Sequence, residues 1–311
     1  MTDIFVRAGS FLLIIVLGYV LKRVGFFGKD DHRLVSKIVL NVTLPATIIV
    51  NFSSTEVEPW LLLMFALGLF GNLVLLAAAM AFGRGADWST RKLRMLNYPG
   101  YSIGCFTLPF VQNFLGASGV VATCLFDAGN SMMCTGTTYA IVAEMDSRRG
   151  SRKSVSLGKK VKEIGKRLVR STPLLTYAVM LLLSLCHLKL PAPVLTFTGI
   201  AANANPFLSM FMIGMMFEIR LAPEKLKEMV RLFAWRYGIS VLVALCFYFL
   251  LPFPVQIRQA LTLAAFSPLS VAALAYTDNV GSDTELASAC NSCSIIVSLV
   301  VMTALVTLFA I

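Results

Sequence analysis

The stretch Tyr98-Pro99-Gly100-Tyr101-Ser102-Ile103-Gly104-Cys105-Phe106-Thr107-Leu108-Pro109 interrupts an apolar run that would otherwise read as one long helix. A second apolar run breaks in the same way at Phe266-Ser267-Pro268-Leu269-Ser270. Proline inside a helix removes one backbone donor and clashes with the preceding turn. Both breaks fall inside stretches of about 20 apolar residues, the length that crosses a hydrocarbon layer. In lipid, backbone freed from a helix is tolerated only where it faces protein or a water-filled cavity. Two broken spans in matching positions therefore point to a binding site at the membrane midplane.

Working outward from these two runs, charged residues serve as punctuation. Ten apolar spans are expected near 4–24, 33–53, 59–82, 93–113, 117–143, 171–188, 193–217, 233–252, 255–276 and 285–310. Hydrophobic residues make up 57% of the chain and charged residues 14%, against about 25% charged in a soluble domain. That apolar surplus exceeds what one buried core absorbs, so the expected class is an all-α integral membrane protein. The first apolar stretch lacks a small-residue cleavage site and more spans follow it, so it reads as a retained helix.

Lysine and arginine stay on the cytoplasmic side. With both termini outside, only Arg7, Lys189 and Arg258 of the 27 basic residues fall on the outer side. The expected location is the cytoplasmic membrane, crossed many times. The loop from Asp278 to Glu285 is acidic and dissents from this pattern, but acids contribute little to the rule. The net charge of +11 is thus topological. Nucleic-acid binding, the rival explanation, fails because the bases are spread over separate inner loops and the largest block, 148–170, has no aromatics for stacking. That block reads as a linker, with contact to anionic lipid or a regulator as an added role.

Ten spans divide at the basic linker into five and five: a first repeat over 1–143, the linker 144–170 and a second repeat over 171–311. An odd number of spans makes the second repeat inverted, with spans 4 and 9 as the broken crossovers. Pro45 and Pro206 interrupt spans 2 and 7 with an offset of 161 residues, and Asn130-Ser131 and Asn291-Ser292 share that offset.

Enzyme chemistry finds no support. An aspartyl protease in the membrane needs two acids at depth, and only Asp127 lies well inside a span. His32 and His187, the only histidines, fall on opposite sides, so neither a metalloprotease site nor a Ser–His pair can form. The seven cysteines all lie in apolar segments, which argues against a disulfide framework. Cys290 and Cys293 read as two small residues on one helical face, not a metal site, because no second cysteine pair or histidine cluster completes one. No cofactor is expected.

At Val39-Leu40-Asn41-Val42-Thr43-Leu44-Pro45, Phe126-Asp127-Ala128-Gly129-Asn130 and Met212-Ile213-Gly214 the sequence resembles the auxin efflux carrier family in its shorter bacterial form, over essentially the whole chain. The resemblance implies a bile-acid-symporter-like fold, in which spans 4 and 9 unwind and cross near the midplane. Spans 1, 2, 6 and 7 would form a scaffold and the others a moving transport domain working by an elevator motion. The implied substrates are organic anions such as malate, malonate and auxin-type acids, and a homodimer through the scaffold would suit the family. One departure matters. The family often carries Asn in the first crossover followed by Gly-x-Pro, where this chain has Ser102 and then Thr107-Leu108-Pro109.

The expected substrate site comprises Ser102, Gly104, Thr107 and Pro109 with Ser267, Pro268 and Ser270. Helix N-termini at the breaks attract anions through free N–H groups and the helix dipole. Arg7, Lys37, Arg236 and Arg258 lie near the ends of the expected spans, from which long side chains snorkel outward. An acid at a span centre costs roughly 2.5–3.5 kcal/mol on insertion scales, and Asp127 is such an acid. It repels an anion but binds a proton or Na⁺, so Asp127 with Asn130 and Asn291 is the expected coupling site. The alternative is an Asp127 that only ties helices together, in an uncoupled uniporter or channel. The run Met210 to Met216 reads as flexible packing, and Trp60, Trp88 and Trp235 as interfacial anchors.

Overall fold

The computed structural model describes residues 2–28, 30–55, 58–149, 157–218 and 222–309, with side chains from residue 5 and, after the linker, from 162. Lys29, Arg220 and the middle of the basic linker, 150–156, lie outside the described residues. The described chain is helical, and its strand-like pairing is one isolated bridge. The helices are α1 (Thr2–Arg23), α2 (His32–Ser53), α3 (Pro59–Phe82), α4 (Trp88–Asn97), α5 (103–114), α6 (116–148) and α7 (Leu157–Val169). They continue as α8 (Thr172–Leu185), α9 (Ala192–Met216), α10 (Pro223–Leu250), α11 (Val255–Ala265), α12 (Ala272–Asn279) and α13 (Thr284–Phe309). Five of the described helices are continuous, long and apolar enough to cross a membrane, and a sixth span results if α7 and α8, bent by 69°, count as one.

Among the described residues the apolar stretches lie mostly under helix, because only internal hydrogen bonds satisfy a backbone in lipid. The expected span 93–113 becomes α4 and α5, parted at 98–102, and 255–276 becomes α11 and α12, parted at 266–271. Some starts differ from the sequence expectation. Helix α4 begins at Trp88, where Asp87 accepts a hydrogen bond from the Thr90 N–H at 3.0 Å, a side-chain N-cap. Helix α10 begins at Pro223, where proline suits a first helical turn, about ten residues before its apolar run. Part of the linker is also helical, as α7.

The helices pack in two groups. In the first, α1 and α2 lie against α9, and α8 against α2. On α1 the buried residues Ala8, Phe11, Ile15 and Gly18 recur every three or four positions, the stripe of a helix with one packed face. Gly214 of α9 lies so close to the Ile15 backbone that a side chain there would collide with it. The other faces expose large apolar groups such as Leu13, Phe197 and Ile200. In water this surface would be an aggregation liability; against acyl chains it is the favoured one. The second group sets α3 and α11 against α6, with α4, α5, α10, α12 and α13 around them. Between the groups, α6 touches α2 and α8, α5 touches α9, and α1 touches α13.

Candidate functional site at the crossing of two broken helices

The two breaks meet. Tyr101 and Leu269 form an antiparallel bridge, and the Ser102 N–H donates to the Pro268 carbonyl at 3.0 Å. Four helix ends converge here: the C-terminal ends of α4 and α11 and the N-terminal ends of α5 and α12. Gly100 allows the approach. Its φ is +91°, and a Cβ there would sit 2.8 Å from the Ser270 Cβ, so an L side chain is excluded twice over.

Backbone unwound from a helix needs new partners, and two asparagines supply them. Asn130 of α6 accepts from the Tyr101 N–H at 3.0 Å and donates to the Tyr101 carbonyl at 2.8 Å. Asn72 of α3 extends the network. Its amide donates to Asn130 Oδ1 at 3.1 Å, and its oxygen accepts from the Gly100 N–H at 2.6 Å. On the other crossover, Asn291 of α13 donates to the Leu269 carbonyl at 3.2 Å, while the Leu269 N–H donates to Ser294 Oγ at 3.1 Å.

The expected substrate residues other than Pro109 lie at this crossing. Thr107 and Ser267 are fully buried, and their hydroxyls share a 2.5 Å hydrogen bond that latches the crossovers together. Pro109 is buried in α5, about two turns beyond the first break. Gly104 packs beneath Leu44, with Asp127 Oδ2 beside it. Ser102 and Ser270 are the partly exposed hydroxyls of the set. Ser102 and Asn291 line a cavity of about 10 Å³, room for about one water, closed by Cys105, Met212, Met216 and Leu269. Met216 also lines a much larger cavity of about 500 Å³ with Lys22, Arg23, His32, Glu218 and Ser288. The methionine run, expected as packing, is indeed mostly buried, and its last residue, Met216, lines both cavities.

The expected coupling residues are only partly brought together. Asp127 is buried, accepts from Asn130 Nδ2 at 2.9 Å through one oxygen, and from the Tyr177 hydroxyl at 3.0 Å through the other. The side-chain hydrogen bond of Asn291 goes to the opposite crossover instead.

One expectation is overturned. Arg236 does not snorkel to an interface. It is fully buried near the middle of α10. Its guanidinium donates to the carbonyls of Tyr98, Gly100 (3.0 Å) and Ser267 (3.2 Å) and lies 5.4 Å from the centre of the Tyr101 ring. The early start of α10 moves Arg236 from the edge of the helix to its centre.

Sequence reasoning missed Arg236, Tyr177 and Asn72. Asn72 carried a signal, as the one strongly polar side chain in the run 63–82. Nothing local marks Tyr177. Among the described residues no group of His, Cys, Asp or Glu is placed to hold a metal ion, and the cysteines are free thiols.

No protein-family model matches the chain. Over 307 residues it is 24% identical to a protein of Methanothermobacter thermautotrophicus named as an uncharacterized transporter, with 94% of this chain and 93% of that protein covered.

Proposed function

We propose that this chain is a secondary transporter of small organic anions in the cytoplasmic membrane. In this reading it has ten spans as a 5+5 inverted repeat, both termini outside, and belongs with the auxin efflux carriers of the bacterial type. The observation that carries the proposal is the crossing at Tyr101 and Leu269, where two broken helices bring two N-terminal ends to one place. Such ends hold anions through N–H groups and dipole, each with up to about 2 kcal/mol when partly buried. The full-length similarity to a protein named as a transporter supports the same class.

The substrate meets Ser102 and Ser270 at the crossing, with carboxylates such as malate, malonate or indole acids as the class. The helix group α1, α2, α8 and α9 is the scaffold, also the surface for a homodimer, and the other group moves against it with the bound anion. Asp127 takes the coupling ion, H⁺ or Na⁺, beside Asn130. A second reading, an uncoupled uniporter, draws on the hydrogen bonds that occupy both oxygens of Asp127.

Purified protein in liposomes separates them. The expected result is uphill uptake of labelled malate, malonate or an indole acid driven by an inward Na⁺ or proton gradient, with the gradient dependence lost in Asp127→Asn. Uptake that equilibrates and ignores both gradients selects the uniporter. Absence of uptake of all three acids refutes the substrate class.

A further inference from the structure

The charge at the crossing is unbalanced by one residue. Each helix end carries about half an elementary charge, positive at N-termini and negative at C-termini. Two ends of each kind meet at Tyr101 and Leu269, so the four ends alone sum to about zero. A crossing built only of backbone would therefore hold an anion through the local N–H groups of α5 and α12 alone, with no net charge to favour it.

Arg236 changes that sum. Its three acceptors, Tyr98, Gly100 and Ser267, all lie just past the C-terminal ends of α4 and α11. The cation therefore sits on the two negative ends and offsets about one charge there, leaving the positive end of α12 uncancelled, and that of α5 as well once Asp127, whose Oδ2 lies beside Gly104 in its first turn, carries its coupling H⁺ or Na⁺. Among the described residues no carboxylate pairs with it, and its Nε is buried without a hydrogen-bond partner. Burying a cation without an acid is costly, and the fold bears that cost at the crossing of its two broken helices.

We infer that Arg236 is the positioning residue that makes this site select anions: it neutralises the carbonyl ends of both half-helices, so that the crossing presents about one net positive charge to the substrate. This rests on the transport reading above. A site of one net charge suits a carboxylate bearing a single charge, or a dianion that arrives with a proton or a cation.

The test compares malonate with malonamide, its uncharged diamide, as competing ligands of the full-length protein in liposomes. In Arg236→Gln the half-saturating malonate concentration rises about tenfold or more, while the malonamide inhibition constant stays within about twofold. Arg236→Lys keeps the charge but not the planar fork. It melts at a lower temperature yet holds malonate within about threefold of the unmodified protein. If Arg236→Gln weakens both ligands equally, or neither, Arg236 is a structural clamp only and the inference is overturned. Should Arg236→Gln not fold, Arg236→Lys decides. A loss of malonate binding in it that malonamide shares overturns the charge argument, and a loss of melting temperature alone upholds it. Unmodified protein that neither binds nor transports malonate or an indole acid refutes the transport reading itself, whatever the variants do.

Discussion

Asn130 pairs with the peptide of Tyr101 from both sides, donating to its carbonyl at 2.8 Å and accepting from its N–H at 3.0 Å. One side chain thus replaces the two helical hydrogen bonds that Tyr101 gives up where the helix breaks. Asn130→Ala leaves both backbone groups of a buried residue without that partner. At about 1–3 kcal/mol per unsatisfied buried group, the expected loss is about 2–6 kcal/mol, read as a lower midpoint of thermal unfolding in detergent. Asn130→Asp retains the acceptor and loses the donor, so its midpoint should fall between the two. A wild-type midpoint in Asn130→Ala would show that the crossover does not depend on this contact.

The hydrogen bond from Tyr177 to Asp127 joins α8, in one helix group, to α6, in the other. Tyr177→Phe, Asp127→Ala and the double variant form a cycle that isolates this contact. The expected coupling is about 1–3 kcal/mol in unfolding free energy, in the range for side chains in direct contact within a buried network. Strict additivity would mean that the two groups are not held together by this bond.

How much of this was legible in the sequence depended on which physical rule governed each residue. The helices were, because a run of apolar residues in lipid has no other way to satisfy its backbone. The breaks were as well, because Pro99, Gly100 and Pro268 leave few options for the chain at those positions. Partnerships across helices were not. Charges served as span boundaries, and this hid the helical start at Pro223 and with it the burial of Arg236. Tyr177 is 50 residues from Asp127, and only packing brings the two together. Two acids of the loop 278–285 likewise have a partner that the sequence order does not reveal. Asp283 and Glu285 lie against Lys225, at 2.9 and 2.6 Å.

Arg94 of α4 forms a two-pronged pair with Glu228 of α10, at 2.7 and 2.8 Å. The arginine side chain is 3% exposed. Breaking such a pair from one side strands a buried charge and costs about 3–5 kcal/mol, whereas replacing both partners by apolar residues can be neutral. Glu228→Ala should therefore lower the unfolding midpoint far more than the double variant Arg94→Met with Glu228→Met. If the double variant is the worse of the two, the pair contributes net stability beyond the avoidance of a lone charge.

The contact of Lys225 with Asp283 predicts a pH dependence outside the membrane spans. Partial burial pushes the Asp283 carboxyl up, but the Leu286 N–H and the Lys225 ammonium together hold it below the usual carboxylate value. An acid held low in the folded state stabilises it above its unfolded value of about 4. That contribution disappears as the pH falls through the lower folded value. The lysine side chain is 30% exposed and that of Asp283 34%, so solvent screening limits the pair to about 1 kcal/mol or less. Lys225→Met should accordingly lower the unfolding midpoint by roughly 1–3 °C at neutral pH. The difference from the unmodified protein should shrink steadily below about pH 4, where the aspartate protonates in both. A difference that persists unchanged at pH 3 would assign the effect to packing of the lysine stem and not to its charge.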